Sequence, residues 1–209
     1  MMMRLACWSI LLLLGFSRAG WSQSRGTPGQ FDYYLLTLSW APEYCHSHPS
    51  DTTECASHHF GFVVHGLWPQ FTDGSYPENC SNAAGLSNPS SMLDIMPDLG
   101  LIQHEWTTHG TCSGLDAQAY FNLIRQAFTS IHMPPQLTSG QMTKTLTAAQ
   151  IKGYFEQANP NVQDTGIAIS CPSNYLSAVE ICLSKTLTPM ACPAVRSCSS
   201  HAVRVPPIQ

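Results

Sequence analysis

The cysteines of this chain constrain its fold more than any other feature. The 209-residue sequence has nine of them, and Cys7 lies in an apolar run, from Leu5 to Phe16, that is typical of a secretory signal peptide. The run is too short to span a bilayer, and small residues make Ala19 and Ser22 the candidate cleavage positions. We therefore predict a leader over residues 1–22, and removal of Cys7 leaves eight cysteines in the mature chain.

Eight cysteines in an exported chain predict four disulfides and leave no free catalytic thiol. No C-x-x-C pair occurs in the sequence, which argues against a cysteine metal site. The count alone leaves the pairing open among roughly a hundred alternatives. Residues 23–209 are long enough for one hydrophobic core but short for two, so we expect a single domain.

The mature chain is acidic at neutral pH. The sequence has 9 Lys and Arg against 13 Asp and Glu, and loss of Arg4 and Arg18 with the leader leaves 7 against 13, a formal charge of −6. This composition excludes an extended basic groove for nucleic acid. All 9 histidines follow the leader, and their full protonation brings the charge from −6 to +3. We therefore expect the chain to attract a polyanion at acid pH and to repel it at neutral pH.

A short helix is predicted between Asp98 and Gly110. Asp98 is a suitable N-cap, and Gly110 stands where a left-handed C-cap residue is expected. Apolar residues recur between them at helical spacing, namely Leu99, Ile102 and Trp106. The helix is predicted to run from about Leu99 to His109, with Trp106 in the core.

Glu105 and His109 are the candidate chemical groups of this helix. At roughly 100° per residue they lie about 40° apart, at the edge of the apolar stripe. A carboxylate placed there can orient the imidazole and favour its charged form, as a general acid or base requires. The alternative is a surface helix with a satisfied histidine. A zinc-protease motif fits poorly, because the residue four after His104 is Thr108 and His109 lies about 140° round the helix.

The segment from residue 60 to residue 70 is predicted to be a strand that carries His65. Alternation puts Phe60, Phe62 and Val64 on one face and Gly61, Val63, His65 and Leu67 on the other. Gly66 allows close approach of the backbone, and Pro69 is expected to stop the hydrogen-bond ladder. On its own, His65 also fits a half-buried structural histidine.

The remaining segments predict an α+β fold. Further strands are predicted at residues 31–40, 166–171, 175–185 and 202–205. Amphipathic helices are predicted at residues 116–131 and from the N-cap Thr147 to a point before Pro160. Residues 45–55 are expected to form a polar loop. Strands outside a helical middle section, without regular βαβ alternation, favour the α+β class.

A disulfide could bring His65 and His109 together. Cys112 closely follows His109, and Cys80 follows the loop that leaves the His65 strand. Two imidazoles at one cleft, with no hydroxyl nucleophile or metal motif beside them, indicate proton transfer in both directions. RNA suits such a pair because its 2′-hydroxyl is the nucleophile: one imidazole takes that proton, the other protonates the leaving 5′-oxygen, and a 2′,3′-cyclic phosphate results. DNA lacks the hydroxyl and is expected to be inert.

Two segments carry a resemblance to a known family. The active-site segments of the ribonuclease T2 family closely resemble Val64-His65-Gly66-Leu67-Trp68-Pro69 with Gly74-Ser75-Tyr76-Pro77, and His104-Glu105-Trp106 with His109-Gly110-Thr111-Cys112. The likeness extends from the strand that ends at Trp40 to the C-terminal cysteines. It implies an α+β fold with a central antiparallel β-sheet, helices packed against the sheet, and four disulfides.

The resemblance also implies roles for individual residues. The catalytic set that it implies is His65, Glu105 and His109, with His104 at the phosphate site. The base site that it implies consists of Trp68, Gln70 and Tyr76. The disulfides that it implies are Cys45–Cys55, Cys80–Cys112, Cys171–Cys198 and Cys182–Cys192.

The resulting hypothesis is a monomeric endoribonuclease that cleaves single-stranded RNA to 2′,3′-cyclic phosphate and then 3′-phosphate products. It would need no metal or other cofactor and would act on neither DNA nor a membrane. The leader and disulfides predict a secreted, periplasmic, or lysosome- or vacuole-like location. Two alternatives stay open: an RNA-binding module of the same fold with weakened catalysis, and a histidine metal-binding protein or metallohydrolase.

Three positions depart from the family pattern. Many members have Lys directly before the second catalytic histidine, where this chain has Thr108. Gln70 stands where Asp is frequent, and Ser39 stands where Gln often precedes Trp. None of these departures removes a proton-transfer group. Without the lysine, the cation that faces the phosphate is expected to be His104 as a histidinium, so activity should peak below neutral pH.

Overall fold

The fold is built around a four-stranded antiparallel β-sheet. The computed structural model describes residues 26–55 and 59–208, so the predicted leader lies outside the described residues. The sheet consists of β1 (Tyr33–Trp40), β2 (Phe62–Gln70), β4 (Ile167–Ser170) and β5 (Ala178–Leu183), in the order β2-β1-β5-β4. A second, two-stranded sheet pairs β3 (Lys144–Leu146) with β6 (Val203–Val205). The predicted α+β class is confirmed.

Six α-helices accompany the sheets in the described part of the chain. They are α1 (Ala41–Ser47), α2 (Thr52–Cys55), α3 (Leu99–Thr108), α4 (Ala117–Thr129), α5 (Pro135–Thr138) and α6 (Ala148–Ala158). Side-chain caps start the three longest at the predicted residues: Asp98 accepts from the Leu101 N–H, Asp116 from the Ala119 N–H, and Thr147 forms a capping box with Gln150.

The predicted loop at residues 45–55 is wrong in part, because α1 runs into it and α2 lies within it. Pro42 cannot continue the hydrogen-bond ladder of β1, but it fits the first turn of a helix, where its missing N–H has no helical partner. The chain therefore passes from strand to helix at Ala41 without a loop.

One face of the main sheet, called the core face, packs under the helices. On β1 it presents Tyr34, Leu36, Leu38 and Trp40, all at most 2% exposed. The large side chains that α3, α4 and α6 contribute to the same cluster are Trp106, Tyr120, Phe121 and Phe155. Burial of each such side chain contributes roughly 1.5–3 kcal/mol. Trp106 is in the core, as its place in the apolar stripe predicted.

The opposite face, called the cleft face, carries a much smaller apolar cluster. It consists of Tyr33 and Leu35 on β1 and Cys182 on β5, with Trp68 packed against them. Polar residues alternate with the core residues along the strands, so Thr37 and Ser39 on β1 belong to this face. The cleft face is where the candidate site lies.

Pro69 does not stop the ladder, contrary to the sequence prediction. It pairs with Tyr34, and β2 continues to Gln70. Because β2 is an edge strand, a residue without an N–H can be accommodated there when that side faces away from β1.

Four disulfides join the pairs that the resemblance implies. They are Cys45–Cys55, Cys80–Cys112, Cys171–Cys198 and Cys182–Cys192. The second ties the segment after β2 to the end of α3, across 32 positions of sequence. Over residues 26–55 and 59–208, no helix is both long and apolar enough to cross a membrane.

Candidate active site

A β-bulge in β2 positions His65. Thr37 of β1 pairs with Gly66 and Leu38 pairs with Val64, so His65 is the extra residue that faces no partner on β1. A bulge bends its strand and changes the direction of the side chain at that point. The His65 side chain consequently stands at the cleft, 43% exposed.

The bulge also overturns the predicted faces of this strand. Leu67 was expected beside His65, but it is fully buried in the core cluster with Phe62 and Val64. One inserted residue reverses the alternation, so Leu67 and Val64, three positions apart, point to the same side. Trp68 then falls on the cleft face.

Helix α3 brings the second set of candidates to the cleft. His104 is exposed, Glu105 is fully buried and His109 follows the last helical residue, Thr108. The predicted left-handed C-cap at Gly110 is wrong. The helix passes into a 3₁₀ turn, Gly110–Cys112, and the glycine is required by packing, since a Cβ there would overlap the rings of Trp106 and Tyr120.

Glu105 is the most buried polar group of the site. Its Oε2 accepts a hydrogen bond from Trp68 Nε1 at 2.7 Å, and its Oε1 lies 3.7 Å from His65 Nε2. Gly66 makes this contact possible, because a Cβ there would collide with both Glu105 and Trp68. Burial raises the pKa of Glu105 to about 8, although the Trp68 hydrogen bond opposes the shift.

Glu105 therefore does not serve His109 as the sequence predicted. Its closest imidazole contact is with His65, and a carboxyl group with a raised pKa is neutral at acid pH and supplies no charge to favour an imidazolium. Burial instead lowers the pKa of His109, and with the smaller effects of the His104 and His65 charges the value falls to about 4.

His109 lies among aromatic rings. Its centroid is 5.2 Å from Trp68 and 6.3 Å from both Tyr76 and His104. In the described part of the chain its Nδ1 is buried without a hydrogen-bond partner. The ring is thus held mainly by packing, with an unsatisfied nitrogen that is suited to a ligand or water.

His65 differs from His109 in having a polar neighbour at each nitrogen. Ser39 Oγ lies 3.2 Å from Nδ1, opposite the Glu105 contact at Nε2. Burial lowers the pKa of His65, and the charge of His104 acts in the same direction. The Trp68 ring meets the His65 ring edge-on at 5.4 Å, so Trp68 contacts both imidazoles.

Sequence reasoning named Ser39 only as a departure from the family pattern and did not place its hydroxyl beside His65. The alternation of Leu36, Leu38 and Trp40 does place Ser39 on the face opposite the core. Its contact with His65, however, depends on the pairing of β1 with β2 and on the bulge, neither of which has a local sequence signal.

A cavity of about 420 Å³ adjoins His109. Its walls contain six of the residues discussed from the sequence, Trp68, Gln70, Tyr76, His104, Thr108 and His109, together with Leu35 and Glu78, which sequence reasoning did not select. Gln70 is buried and donates from Nε2 to the Pro69 carbonyl, whereas Tyr76 is 52% exposed. The cavity combines aromatic faces with amide and carboxylate groups, which suits a nucleobase.

Three donor atoms of the site could share a metal ion. One ligand atom from each of His104, Glu105 and His109 lies within 4.8 Å of the others. Metal binding would require Glu105 to ionise and would occupy the lone pair of His109. Metal binding and proton transfer are therefore competing uses of the same atoms.

Comparisons with known proteins agree in family and fold. The family described as "Ribonuclease T2 family" matches residues 31–192. A protein named "Ribonuclease" from Aeromonas hydrophila is 35% identical over 185 residues, which cover 84% of each chain. "Ribonuclease DdI" from Dictyostelium discoideum is 29% identical over 201 residues and 86% of each chain.

Solved structures show the same fold. An RNase-related protein from Calystegia sepium superposes with a TM-score of 0.68 and 25% identity, over 84% of this chain and 97% of that one. RNase NT in complex with 5′-AMP superposes with a TM-score of 0.63 and 23% identity, again over 84% and 97%.

Proposed function

The chain belongs to the ribonuclease T2 family and is an endoribonuclease that acts on RNA, and we propose that His65 and His109 are its two proton-transfer groups. The observation that carries this proposal is the contact of both imidazoles with Trp68, next to a cavity lined by aromatic and amide side chains. A group that gives a proton and a group that takes one are what transphosphorylation by the RNA 2′-hydroxyl requires.

His109 is the general base in this proposal. It lies in the wall of the cavity that would hold the base on the 5′ side of the scissile phosphate, so it stands closest to that nucleotide's 2′-hydroxyl. Its pKa of about 4 keeps the ring neutral, and able to accept a proton, over most of the acid range. The 2′-oxygen attacks phosphorus as its proton passes to His109.

His65 is the general acid. Glu105 holds a proton up to about pH 8 and lies 3.7 Å from His65 Nε2, so this pair retains a proton through the acid and neutral range. The proton moves from Nε2 to the 5′-oxygen as the P–O5′ bond breaks, leaving a 2′,3′-cyclic phosphate. With the two roles reversed, water opens the cyclic ester to a 3′-phosphate.

The cavity supplies substrate binding. Trp68 and Tyr76 offer faces on which an unpaired base can stack, and Gln70 offers an amide for its edge. His104, exposed in the same wall, is the proposed phosphate-binding residue. Stacking of this kind requires an unpaired base, and the reaction requires the 2′-hydroxyl that DNA lacks, so the proposed substrate is single-stranded RNA and not DNA.

We further propose that residues 23–209 form one monomeric domain that is exported after removal of residues 1–22. Four disulfides support an oxidising compartment. The proposed locations are the extracellular space, a periplasm, or a lysosome- or vacuole-like compartment.

One assay tests the proposed reaction against its alternatives. The refolded mature chain is incubated with an oligoribonucleotide and with its deoxy counterpart, with and without EDTA, from pH 4 to 8. We expect cleavage of RNA alone, unaffected by EDTA, with cyclic phosphate ends appearing first. No cleavage at any pH would select the binding module, and cleavage abolished by EDTA would select a metal-dependent site.

A further inference from the structure

We propose that Ser39 is a positioning residue that holds His65 as the Nδ1–H tautomer, so that Nε2 is the atom that exchanges a proton with RNA. This inference rests on the proposed role of His65 in proton transfer. It adds a residue from β1 to a site whose other candidates come from the segment that begins with β2 and from α3 with its C-terminal end.

The two nitrogens of His65 have different neighbours. Ser39 Oγ lies 3.2 Å from Nδ1, which is within hydrogen-bond range. Nε2 lies 3.7 Å from Glu105 Oε1, which is beyond direct hydrogen-bond range but close enough for the carboxyl dipole to act on the ring. A hydroxyl can donate or accept, so the Ser39 contact alone fits either tautomer.

The orientation of Glu105 decides between the two tautomers. Its Oε2 already accepts the Trp68 Nε1–H, while its Oε1 is buried without a hydrogen-bond partner among the described residues. A proton on this buried carboxyl group is therefore placed on Oε1, the oxygen that faces Nε2. An O–H directed at Nε2 favours a lone pair there, so the ring proton is on Nδ1 and is donated to Ser39.

The bulge explains why a serine can reach the ring. In the ladder Ser39 pairs with Val63, not with His65. The extra residue turns the imidazole back toward β1, whose Ser39 side chain is on the same cleft face and half-buried.

With a fixed tautomer, the ring proton of His65 does not have to move between the two nitrogens in each catalytic cycle. When the Glu105 Oε1 proton passes to Nε2 and Nε2 gives its proton to the 5′-oxygen, the products are a Glu105 carboxylate and the neutral Nδ1–H ring, whose proton Ser39 already accepts. When water opens the cyclic phosphate, Nε2 takes a proton from the water and returns one to Glu105, and Nδ1 is unchanged. Without the serine, a neutral imidazole reverts toward its intrinsically preferred Nε2–H form, in which the catalytic nitrogen has no lone pair.

The first test is a nitrogen measurement that requires no RNA. The mature chain is labelled with ¹⁵N-histidine, and the Nδ1 and Nε2 shifts of His65 are recorded at a pH where the ring is neutral. We expect a protonated Nδ1 and an unprotonated Nε2 in the wild type, movement toward the opposite pattern in Ser39→Ala, and the wild-type pattern in Ser39→Thr. Ser170→Ala is the matched control, since Ser170 lies in register with Ala178, the residue that also pairs with Ser39.

The second test follows the reaction. Ser39→Ala should lower kcat by at least about tenfold, within the range for a misplaced general acid or base, with little change in KM, and Ser39→Thr should restore it. A wild-type His65 with its proton on Nε2, or unchanged nitrogen shifts in a folded Ser39→Ala variant, would overturn the proposal. Because the shifts are read without substrate, that failure is distinct from failure of the proposed function, which would appear as full activity in His65→Ala.

Discussion

The two faces of the main sheet differ in how completely their polar atoms are satisfied. On the core face, Leu36, Leu38 and Trp40 are fully buried among apolar neighbours, and the Trp40 Nε1 donates to the Pro206 carbonyl. The buried side-chain atoms without a hydrogen-bond partner in the described residues belong to the cleft side: Tyr33 Oη, Thr37 Oγ1, Glu105 Oε1 and His109 Nδ1.

Because of this difference, we expect the core face to determine the stability of the fold and the cleft face to determine its chemistry. Unsatisfied buried polar groups cost roughly 1–3 kcal/mol each, so the core face must offset what the cleft face loses. Local departures from good packing and hydrogen bonding are expected where a protein binds and reacts. Substitutions on the two faces should therefore affect different measurements.

The largest effect is expected from the histidines. His65→Ala or His109→Ala should each lower kcat/KM by roughly 10² to 10⁴ without unfolding the chain, and the double variant should lose far less than the product of the two. Initial rates on a short oligoribonucleotide, with circular dichroism to check folding, give the comparison.

Leu38→Ala, on the core face, is the matched control. It should lower the free energy of unfolding by about 2–5 kcal/mol and leave the turnover of the folded fraction unchanged. A folded histidine variant with near-native turnover would remove that residue from the mechanism and erase the contrast between the faces.

The next effect concerns the disulfide that ties the two active-site segments together. Cys80 and Cys112 close a loop of 32 positions, and replacing both with Ala should cost about 3–4 kcal/mol by loop entropy. Urea denaturation measures the loss, and non-reducing peptide mapping checks the bond in the wild type. Cys112 joined to any other cysteine would contradict this account of how His65 and His109 meet.

Glu105→Gln should raise the free energy of unfolding and lower the turnover of RNA. The folded pKa of about 8 exceeds the ordinary value of 4.5, so an unfolded chain releases the proton at lower pH and wild-type stability falls as pH rises from about 4.5 to 8. The variant has no such loss, and its gain should reach about 3 kcal/mol at pH 7 and vanish below pH ~4.5. Melting curves at pH 4 and pH 7 test this, and equal gains at both would contradict it.

The smallest effect is a shift in pH range from Thr108→Lys. A histidine side chain loses its charge near pH ~6.5, whereas lysine keeps its charge to about 10. If His104 supplies the cation at the phosphate, the substitution should extend activity toward neutral pH and make His104→Ala less damaging. The measurement is kcat/KM from pH 4 to 8 for the wild type, both single variants and the double variant.

If the alkaline limb of the kcat/KM profile does not move in Thr108→Lys, and the effects of Thr108→Lys and His104→Ala are additive, then His104 does not replace the lysine.

The histidines also reverse the chain's net charge, from −6 to +3 on full protonation of the mature sequence. Activity should therefore peak below neutral pH in the wild type. High salt should weaken this second effect because it screens attraction to the polyanion.

Local chemistry made β1 and the helix starts predictable. The aromatic and apolar composition of residues 31–40 and the N-caps Asp98 and Thr147 act within a few residues of sequence, and the strand and both caps are found where they were predicted. The cleft face depended on pairing between distant segments. The bulge at His65 exists only against β1, and the Ser39 contact spans 26 positions.

Gly110 shows the same limit on a smaller scale. A glycine after a helix usually signals a left-handed cap, but this one is fixed by the Trp106 and Tyr120 rings. Likewise, the buried position of Glu105 beside His65 depends on Gly66 and Trp68, which belong to β2 and not to the helix that carries Glu105. Spacing on one helix could place the carboxylate near an imidazole, but it could not tell which one.

The bulge also makes the number of residues in β2 as important as their identity. Deleting the codon for His65 would do more than remove an imidazole, because the remaining residues could restore a regular ladder with β1. Substitution at the same codon would leave Leu67 in the core and Trp68 over Glu105. In a deletion scan of the gene, the number of residues in β2 should therefore matter as much as their identity. The unpaired residue decides on which face of the sheet each neighbouring residue of the strand lies.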